Sequence, residues 1–165
     1  MLHALFYIVP PEAVNVTQTA YERLAGKVLV NRTEAMLVQR YKATLGEFVV
    51  NRIRTPVGIT DLYVVGTGWR EIVEAKRSAD HGFVRQALGQ LLDYVANSSE
   101  TVDRLSALFP TRPAEGDIQW LHRFGIDCIY EFEPDAFNRV ASPDPRRGLM
   151  VDIWNEAWHT HADAP

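Results

Sequence analysis

Residues 60–76 read TDLYVVGTGWREIVEAK. Two apolar runs lie on either side of a glycine-containing turn, which is the pattern of a β-hairpin. If Thr67 and Gly68 are the two turn residues, antiparallel pairing places Asp61 directly opposite Glu74. A hairpin that packs into a core does not ordinarily bring two carboxylates together, so the pair needs an explanation.

Lys76 joins the two carboxylates on one face of the predicted hairpin. It lies two residues after Glu74, and side chains alternate between faces with a period of two along a strand. Directly opposed side chains have Cβ atoms about 5 Å apart, and like charges there are destabilising. A divalent cation between Asp61 and Glu74 would remove that repulsion. The alternate positions are apolar and can pack beneath helices: Leu62, Val64, Val73 and Ala75.

Hard oxygen ligands favour Mg²⁺ or Mn²⁺, which keep several waters and usually take only one or two protein carboxylates. Such a site suits attack on a phosphodiester, because the metal polarises the phosphate and lowers the pKa of the attacking water. Lys76 can orient that water or help to deprotonate it. The alternative is a solvated strand face whose ion pairs contribute at most about 1 kcal/mol. The hairpin alone leaves both interpretations open.

The region before the hairpin predicts two helices. Residues 16–29 are compatible with the first, and Thr33 can cap a second over residues 33–45. Glu34 falls on the apolar stripe of the second helix, where carboxylates are rare unless something pairs with them. That stripe consists of Leu37, Val38, Tyr41 and Leu45. Glu47, near the start of the next strand, is a rival to Glu34 as the partner of the hairpin carboxylates.

The remaining elements are predicted from apolar periodicity and turn residues. Three strands form a meander, and a long helix, a strand, a helix and a strand follow: 47–54, 59–65, 70–76, 80–96, 104–110, 114–124 and 126–133. Residues 135–148 predict a loop, and residues 154–165 are compatible with a short helix and a loose tail. The opening MLHALFYIVPP predicts a strand or docking segment, with the option of packing on a second subunit.

Length and composition predict a single globular domain with no membrane span. The chain has 165 residues, and its opening apolar run of about nine residues cannot cross a bilayer. The single cysteine excludes an internal disulfide framework and favours a reducing, cytoplasmic compartment. A net charge of −4 argues against a generally basic nucleic-acid binder, yet residues 32–85 hold nine basic against six acidic residues. The positive region therefore coincides with the hairpin.

Asp61, together with the Glu-Ala-Lys sequence at 74–76, resembles the signature of the PD-(D/E)XK nuclease superfamily. The αβββαβ core of that superfamily is similar to the order of elements predicted over residues 33–109, and the resemblance covers roughly residues 33–132. The resemblance implies an α/β, restriction-endonuclease-like fold with a mixed central sheet flanked by helices. It implies one domain over residues 1–165, with an N-terminal extension at 1–30 and a C-terminal extension at 134–165.

Further positions match the same superfamily, and one departs from it. Many members carry a glutamate in the first core helix, which Glu34 matches. In several branches the helix after the signature has a glutamine-and-tyrosine pattern, which RQALGQLLDY resembles. Its members Gln86, Gln90 and Tyr94 are spaced four residues apart and line one helical face. Thr60 replaces the proline that usually precedes the aspartate.

The resemblance implies a Mg²⁺- or Mn²⁺-dependent nuclease that acts on DNA more than on RNA. The metal ligands would be Asp61, Glu74 and the carbonyl of Ala75. Glu34 would support the metal or its water, and Lys76 would position the water. The catalytic residues implied are Asp61, Glu74, Lys76, Glu34 and Gln90, and Ala75 serves only as a metal ligand.

Contacts with nucleic acid are implied for the basic residues around the hairpin. Gln90 or Gln86 would contact the water or the phosphate, and a phosphate track would comprise Arg52, Arg54, Arg77 and Arg85. The second hypothesis is a nuclease fold used as a binding or assembly module in a defence or repair complex. A homodimer, or a partner protein that supplies DNA recognition, is compatible with either function.

Overall fold

The computed structural model describes the short strand Ile8–Val9 and residues 22–156, with side chains from residue 32 onward. The helices are α1 (Glu22–Ala43), α2 (His81–Ala96), α3 (Glu115–Arg123) and α4 (Asp144–Trp154). The strands are β1 (Ile8–Val9), β2 (Val49–Thr55), β3 (Gly58–Ile59), β4 (Leu62–Gly66), β5 (Trp69–Ala75), β6 (Arg104–Phe109), β7 (Asp127–Glu133) and β8 (Ala136–Val140).

The strands form one mixed sheet in the order β1-β2-β4-β5-β6-β7-β8, and β3 pairs with β2 beside this path. The pairs β5–β6 and β6–β7 are parallel, and the others are antiparallel. Helix α1 packs on one face of the sheet, whereas α2, α3 and α4 pack on the other. The predicted α/β class, with a mixed sheet flanked by helices, is confirmed.

The register of the central hairpin is the predicted one. Leu62 pairs with Val73 and Gly66 pairs with Trp69, so Thr67 and Gly68 form the turn. Gly68 has φ +77°, a conformation that glycine adopts without strain. The predicted apolar face packs against α1, and all four of its side chains are fully buried: Leu62, Val64, Val73 and Ala75.

The two helices predicted before the hairpin are one continuous helix, α1. Thr33 lies within it and is exposed, so the prediction that Thr33 caps a helix was wrong. Gly26 lowers helical propensity by about 1 kcal/mol without breaking a helix, and packing of Leu37 and Tyr41 on the sheet offsets that cost. Residues 16–21 of the first predicted helix lie outside the described residues.

The prediction of a loop over residues 135–148 was also wrong. This segment contains the edge strand β8, which pairs antiparallel with β7, and the beginning of α4. Asp135 has φ +62° in the tight turn between the two strands, a conformation that aspartate tolerates better than most residues. Pro145 lies in the first turn of α4, where a missing N–H costs nothing. Residues that resembled loop signals are therefore turn and helix-start signals.

The N-terminal segment was predicted to form a strand, and the chain was predicted to have no membrane span. Ile8 lies opposite Ile53, so the two described residues of the predicted strand pair with β2 of their own chain. No helix among the described residues is long and apolar enough to cross a membrane. Residues 157–165 of the predicted tail lie outside the described residues.

A charge network with two buried carboxylates and a partly exposed arginine joins β5, β7 and β8. The Nη1 atom of Arg139 lies 2.6 Å from Glu71 Oε1 and 2.8 Å from Asp127 Oδ2. Both carboxylates are almost completely buried. Arg139 also donates to the hydroxyl of Tyr41 from α1, at 3.0 Å, and Arg147 Nη2 lies 2.5 Å from Asp127. The network carries two positive and two negative charges and is therefore electrically balanced.

Replacing Arg139 with alanine is expected to lower the free energy of unfolding by about 3–5 kcal/mol, because it leaves Glu71 buried without a positive partner. Urea unfolding followed by circular dichroism measures the change. Arg146→Ala is the matched control, since Arg146 is exposed on α4, and its effect should stay within about 0.5 kcal/mol. Equal effects of the two substitutions would contradict the structural role of the network.

Candidate metal centre

Asp61 lies at a bend that separates β3 from β4. Between the pairs Asn51–Tyr63 and Arg54–Ile59, two residues of β2 oppose three residues of the partner strands, which makes a β-bulge at this point. The Oδ2 atom of Asp61 accepts a hydrogen bond of 2.8 Å from the backbone N–H of Ala75. The carboxylate therefore reaches across the hairpin to the end of β5.

Glu74 and Lys76 form a buried ion pair at that same end of β5. Glu74 is 3% exposed and Lys76 is 4% exposed. The ammonium of Lys76 lies 2.6 Å from Glu74 Oε1 and donates to the carbonyl of Ala75 at 3.1 Å. The second carboxylate oxygen, Glu74 Oε2, is buried and has no hydrogen-bond partner among the described residues. A buried carboxylate oxygen without a partner is costly, since it has lost its hydration.

The positive groups near Asp61 and Glu74 compensate only part of the cost of burying the two carboxylates. Burial, and then the negative charge of Asp61, raise the pKa of Glu74 to about 8, although Lys76 acts in the opposite direction. Burial also raises the pKa of Asp61, and Glu34 adds to this, while the Ala75 N–H, Lys76 and Arg52 lower it. Two positive groups, Lys76 and Arg52, act on the carboxylates, whereas Glu34 adds a third negative charge, so a negative excess remains. A bound cation would remove that excess.

Glu34 approaches the centre from α1, and Glu47 does not. Glu34 is half-buried, its Oε1 accepts a hydrogen bond of 3.2 Å from the backbone N–H of Arg77, and its charge raises the pKa of both Asp61 and Glu74. Glu47 lies in the turn after α1 and is exposed. Of the two candidates, Glu34 is therefore the one whose field reaches the pair.

The α2 stripe contributes two of its three predicted members. Tyr94 is buried, donates to the carbonyl of Ile59 at 3.3 Å and hydrogen-bonds with Gln90. Burial and the charges of Glu74 and Asp61 raise the pKa of the Tyr94 hydroxyl. Gln90 is half-buried, whereas the side chain of Gln86 is exposed to solvent. Tyr94 therefore borders the carboxylates with Gln90 bonded to it, and Gln86 faces solvent.

The four predicted phosphate contacts occupy different environments. Arg54, Arg77 and Arg85 are exposed, and the guanidinium of Arg77 lies 4.9 Å from the ring centre of Phe83. Arg52 is half-buried, and its Nε donates to the carbonyl of Thr60 at 2.9 Å. The bonds of Thr60 were missed by sequence analysis, which treated this residue only as a substitute for proline. The burial of Thr60 is a property of the folded structure, so the sequence offered no signal for these bonds.

The residues present fit a magnesium-type ion as a two-carboxylate site. Among the residues that the structure describes, no group of three or more histidine, cysteine, aspartate or glutamate side chains is arranged to hold a metal ion. Mg²⁺ usually needs only one or two protein carboxylates, because it retains waters. Asp61 and Glu74 meet that requirement, and the unpartnered Oε2 of Glu74 is an available ligand atom.

No protein-family model, curated protein or solved structure matches this chain. The chemistry open to the site therefore follows from its own residues.

The raised pKa of Glu74 predicts how the stability of the metal-free protein depends on pH. The folded state holds this proton up to about pH 8, whereas the unfolded chain releases it near 4.5. The folded state binds more protons between these values, so its stability falls as pH rises through that window. We expect Glu74→Gln to melt close to the wild type at about pH 4 and several degrees higher at about pH 8.

Thermal melts with a chelator present measure this difference. Glu133→Gln is the control, since Glu133 is exposed at the end of β7, and it should follow the wild type at every pH. An offset between Glu74→Gln and the wild type that is the same at both ends of the pH range would contradict the assignment.

Divalent cations are expected to reverse the loss of stability at neutral pH. Mn²⁺ that binds only the folded state stabilises it by about 2.7 kcal/mol at one hundred times its Kd. Asp61→Asn should melt higher than the wild type without metal, because it removes one of two repelling charges, and should lose most of the gain with Mn²⁺. Asp152→Asn, at an exposed position of α4, should behave like the wild type. The absence of any wild-type shift at millimolar Mn²⁺ would rule out the metal centre.

Proposed function

We propose that this chain is a Mg²⁺- or Mn²⁺-dependent nuclease that hydrolyses phosphodiester bonds, in DNA more than in RNA. The observation that carries the proposal is the buried, unpartnered Oε2 of Glu74, which lies in the same cluster as Asp61 and Lys76. In the metal-free protein this arrangement is unfavourable, since the positive groups nearby compensate only part of the cost of burying the two carboxylates. Residues that lower the stability of the fold while converging on one point are typical of functional sites.

Each residue of the centre has a distinct role in the proposal. Asp61 and Glu74, with the carbonyl of Ala75, would hold the cation, which supplies polarisation of the phosphate and activation of water. Lys76 would hold the attacking water at its Nζ atom, because three N–H donors allow it to bond a water and Glu74 together. Glu34 would orient the segment after β5 through its bond to the Arg77 N–H.

The nucleic acid would approach along the exposed basic residues around the centre. Arg54, Arg77 and Arg85 are exposed, and Gln86 presents its amide to solvent on the first turns of α2. Arginine suits this role because its guanidinium pairs with phosphate oxygens. Gln90 is closer to the carboxylates and would contact the water or the scissile phosphate.

One observation favours the alternative, a binding or assembly module without activity. The Lys76 ammonium bonds both Glu74 Oε1 and the Ala75 carbonyl, so it occupies two of the proposed ligand atoms in the metal-free protein. Permanent neutralisation by Lys76 would make a structural ion pair of this centre. Direct measurement of cleavage separates the two functions.

The test measures cleavage of plasmid, linear duplex, single-stranded DNA and RNA with Mg²⁺ or Mn²⁺. Wild-type protein should cleave at least one DNA substrate, and Lys76→Ala should lower kcat by about 10²- to 10⁴-fold, the range for loss of a proton-handling group. Lys42→Ala is the control, because Lys42 lies in the last turn of α1 and makes no ion pair with the hairpin. Lys76→Gln guards against misfolding, since it can still hydrogen-bond Glu74.

Metal-dependent cleavage that survives unchanged in Lys76→Ala would contradict the assignment of this residue. Binding of nucleic acid with no cleavage of any substrate by the wild type would favour the binding module.

A further inference from the structure

Thr60, which immediately precedes Asp61, is fastened to β2 by all three of its polar atoms. Its backbone N–H donates to the carbonyl of Ile53 at 3.0 Å, and its Oγ1 accepts from the N–H of Ile53 at 2.9 Å. Its carbonyl accepts from Arg52 Nε at 2.9 Å. The side chain is completely buried. No surface requirement explains a threonine at this position.

The bond from Arg52 acts on the peptide plane that contains the nitrogen of Asp61. A peptide unit is planar, so a bond that fixes the Thr60 carbonyl also fixes the direction of the Asp61 N–H. This control matters at a β-bulge, because the extra residue interrupts the regular ladder that otherwise sets the backbone. Asp61 itself is outside β4, and its carboxylate reaches the Ala75 N–H across the hairpin.

We propose that Arg52 and Thr60 are positioning residues that hold Asp61 in the orientation needed for cation binding. The inference rests on the proposed function, since it assigns these two residues to the same metal centre. It changes the role of Arg52, which sequence analysis assigned to phosphate binding. Arg52 contacts the backbone of the residue next to a ligand and acts through Asp61, as residues behind a metal ligand do.

Arg52 and Thr60 together hold the bulge in one conformation. The Thr60 hydroxyl accepts the N–H of Ile53 at a buried position, and a valine of nearly the same shape would remove that acceptor. Serine would retain the hydroxyl. Thr60→Val and Thr60→Ser therefore form a matched pair that separates the hydrogen bond from the volume of the side chain.

The experiment measures the Kd of Mn²⁺ directly, by the electron paramagnetic resonance signal of the free ion, in the full chain. Arg52→Ala and Thr60→Val should weaken Mn²⁺ binding by about 10- to 100-fold, and Thr60→Ser should retain the wild-type affinity. Arg54→Ala is the control for charge, since Arg54 is two residues further along the same side of β2, and it should leave the Kd of Mn²⁺ unchanged. Circular dichroism establishes that each variant is folded.

Kinetics on the best DNA substrate give the second measurement. A positioning residue lowers kcat and leaves KM and the salt dependence of DNA binding unchanged. A phosphate contact instead raises KM and reduces the slope of log affinity against log salt by about one. Arg52→Ala should follow the first pattern and Arg54→Ala the second.

The outcomes separate this inference from the proposed function. Wild-type binding of Mn²⁺ and cleavage, with normal Mn²⁺ affinity in both Arg52→Ala and Thr60→Val, would overturn the inference alone. Failure of the wild type to bind Mn²⁺ would overturn the inference and the proposed function together. If Thr60→Val does not fold, the Kd of Arg52→Ala decides.

Discussion

Two carboxylates, Asp61 and Glu74, lie at one buried end of the hairpin, where the ammonium of Lys76 bonds only Glu74. Asp61 and Glu74 converge because of the register in which β4 pairs with β5. Burial raises the free-energy cost of ionising them. Lys76 offsets part of that cost. The bulge at Thr60, the bond to the Ala75 N–H and the approach of Glu34 all act on the same few atoms.

The strand β5 carries two charged systems with opposite characters. On the α1 face, Glu71 belongs to a network in which Arg139 and Arg147 match two carboxylates, and the raised pKa of Arg139 reflects its negative neighbours. On the α2 face, Glu74 has one hydrogen-bonded oxygen and one without a partner. Balanced charge is what a structural ion network needs. A cation-binding site, in contrast, requires an excess of negative charge at a fixed position.

The sequence was sufficient to predict the hairpin but not the hydrogen bonds that hold Thr60 next to Asp61. Turn chemistry and a period of two fix which residues share a face, so the register and the apolar face that packs on α1 followed from residues 60–76 alone. The hydrogen bonds of Thr60 reach residues of β2 that lie seven and eight positions earlier, across a bulge. No local sequence pattern predicts these bonds. Strand β8 was missed because its edge position leaves it short, half-exposed and flanked by proline. Whether Glu34 or Glu47 reaches the pair depended on the packing of α1, which is a tertiary property.

The charge network around Arg139 limits the order in which the parts of the chain can fold. Arg139 joins residues that lie 68 and 98 positions earlier, whereas the hairpin closes through neighbours in the chain. During synthesis from the ribosome, the hairpin and its carboxylates can form early, but Glu71 has no counter-charge until β8 has emerged. An incomplete chain that buried Glu71 would carry an uncompensated charge in its interior. We therefore expect the Glu71 side of the domain to close late, after β8 has emerged, even though the hairpin itself is local in the chain.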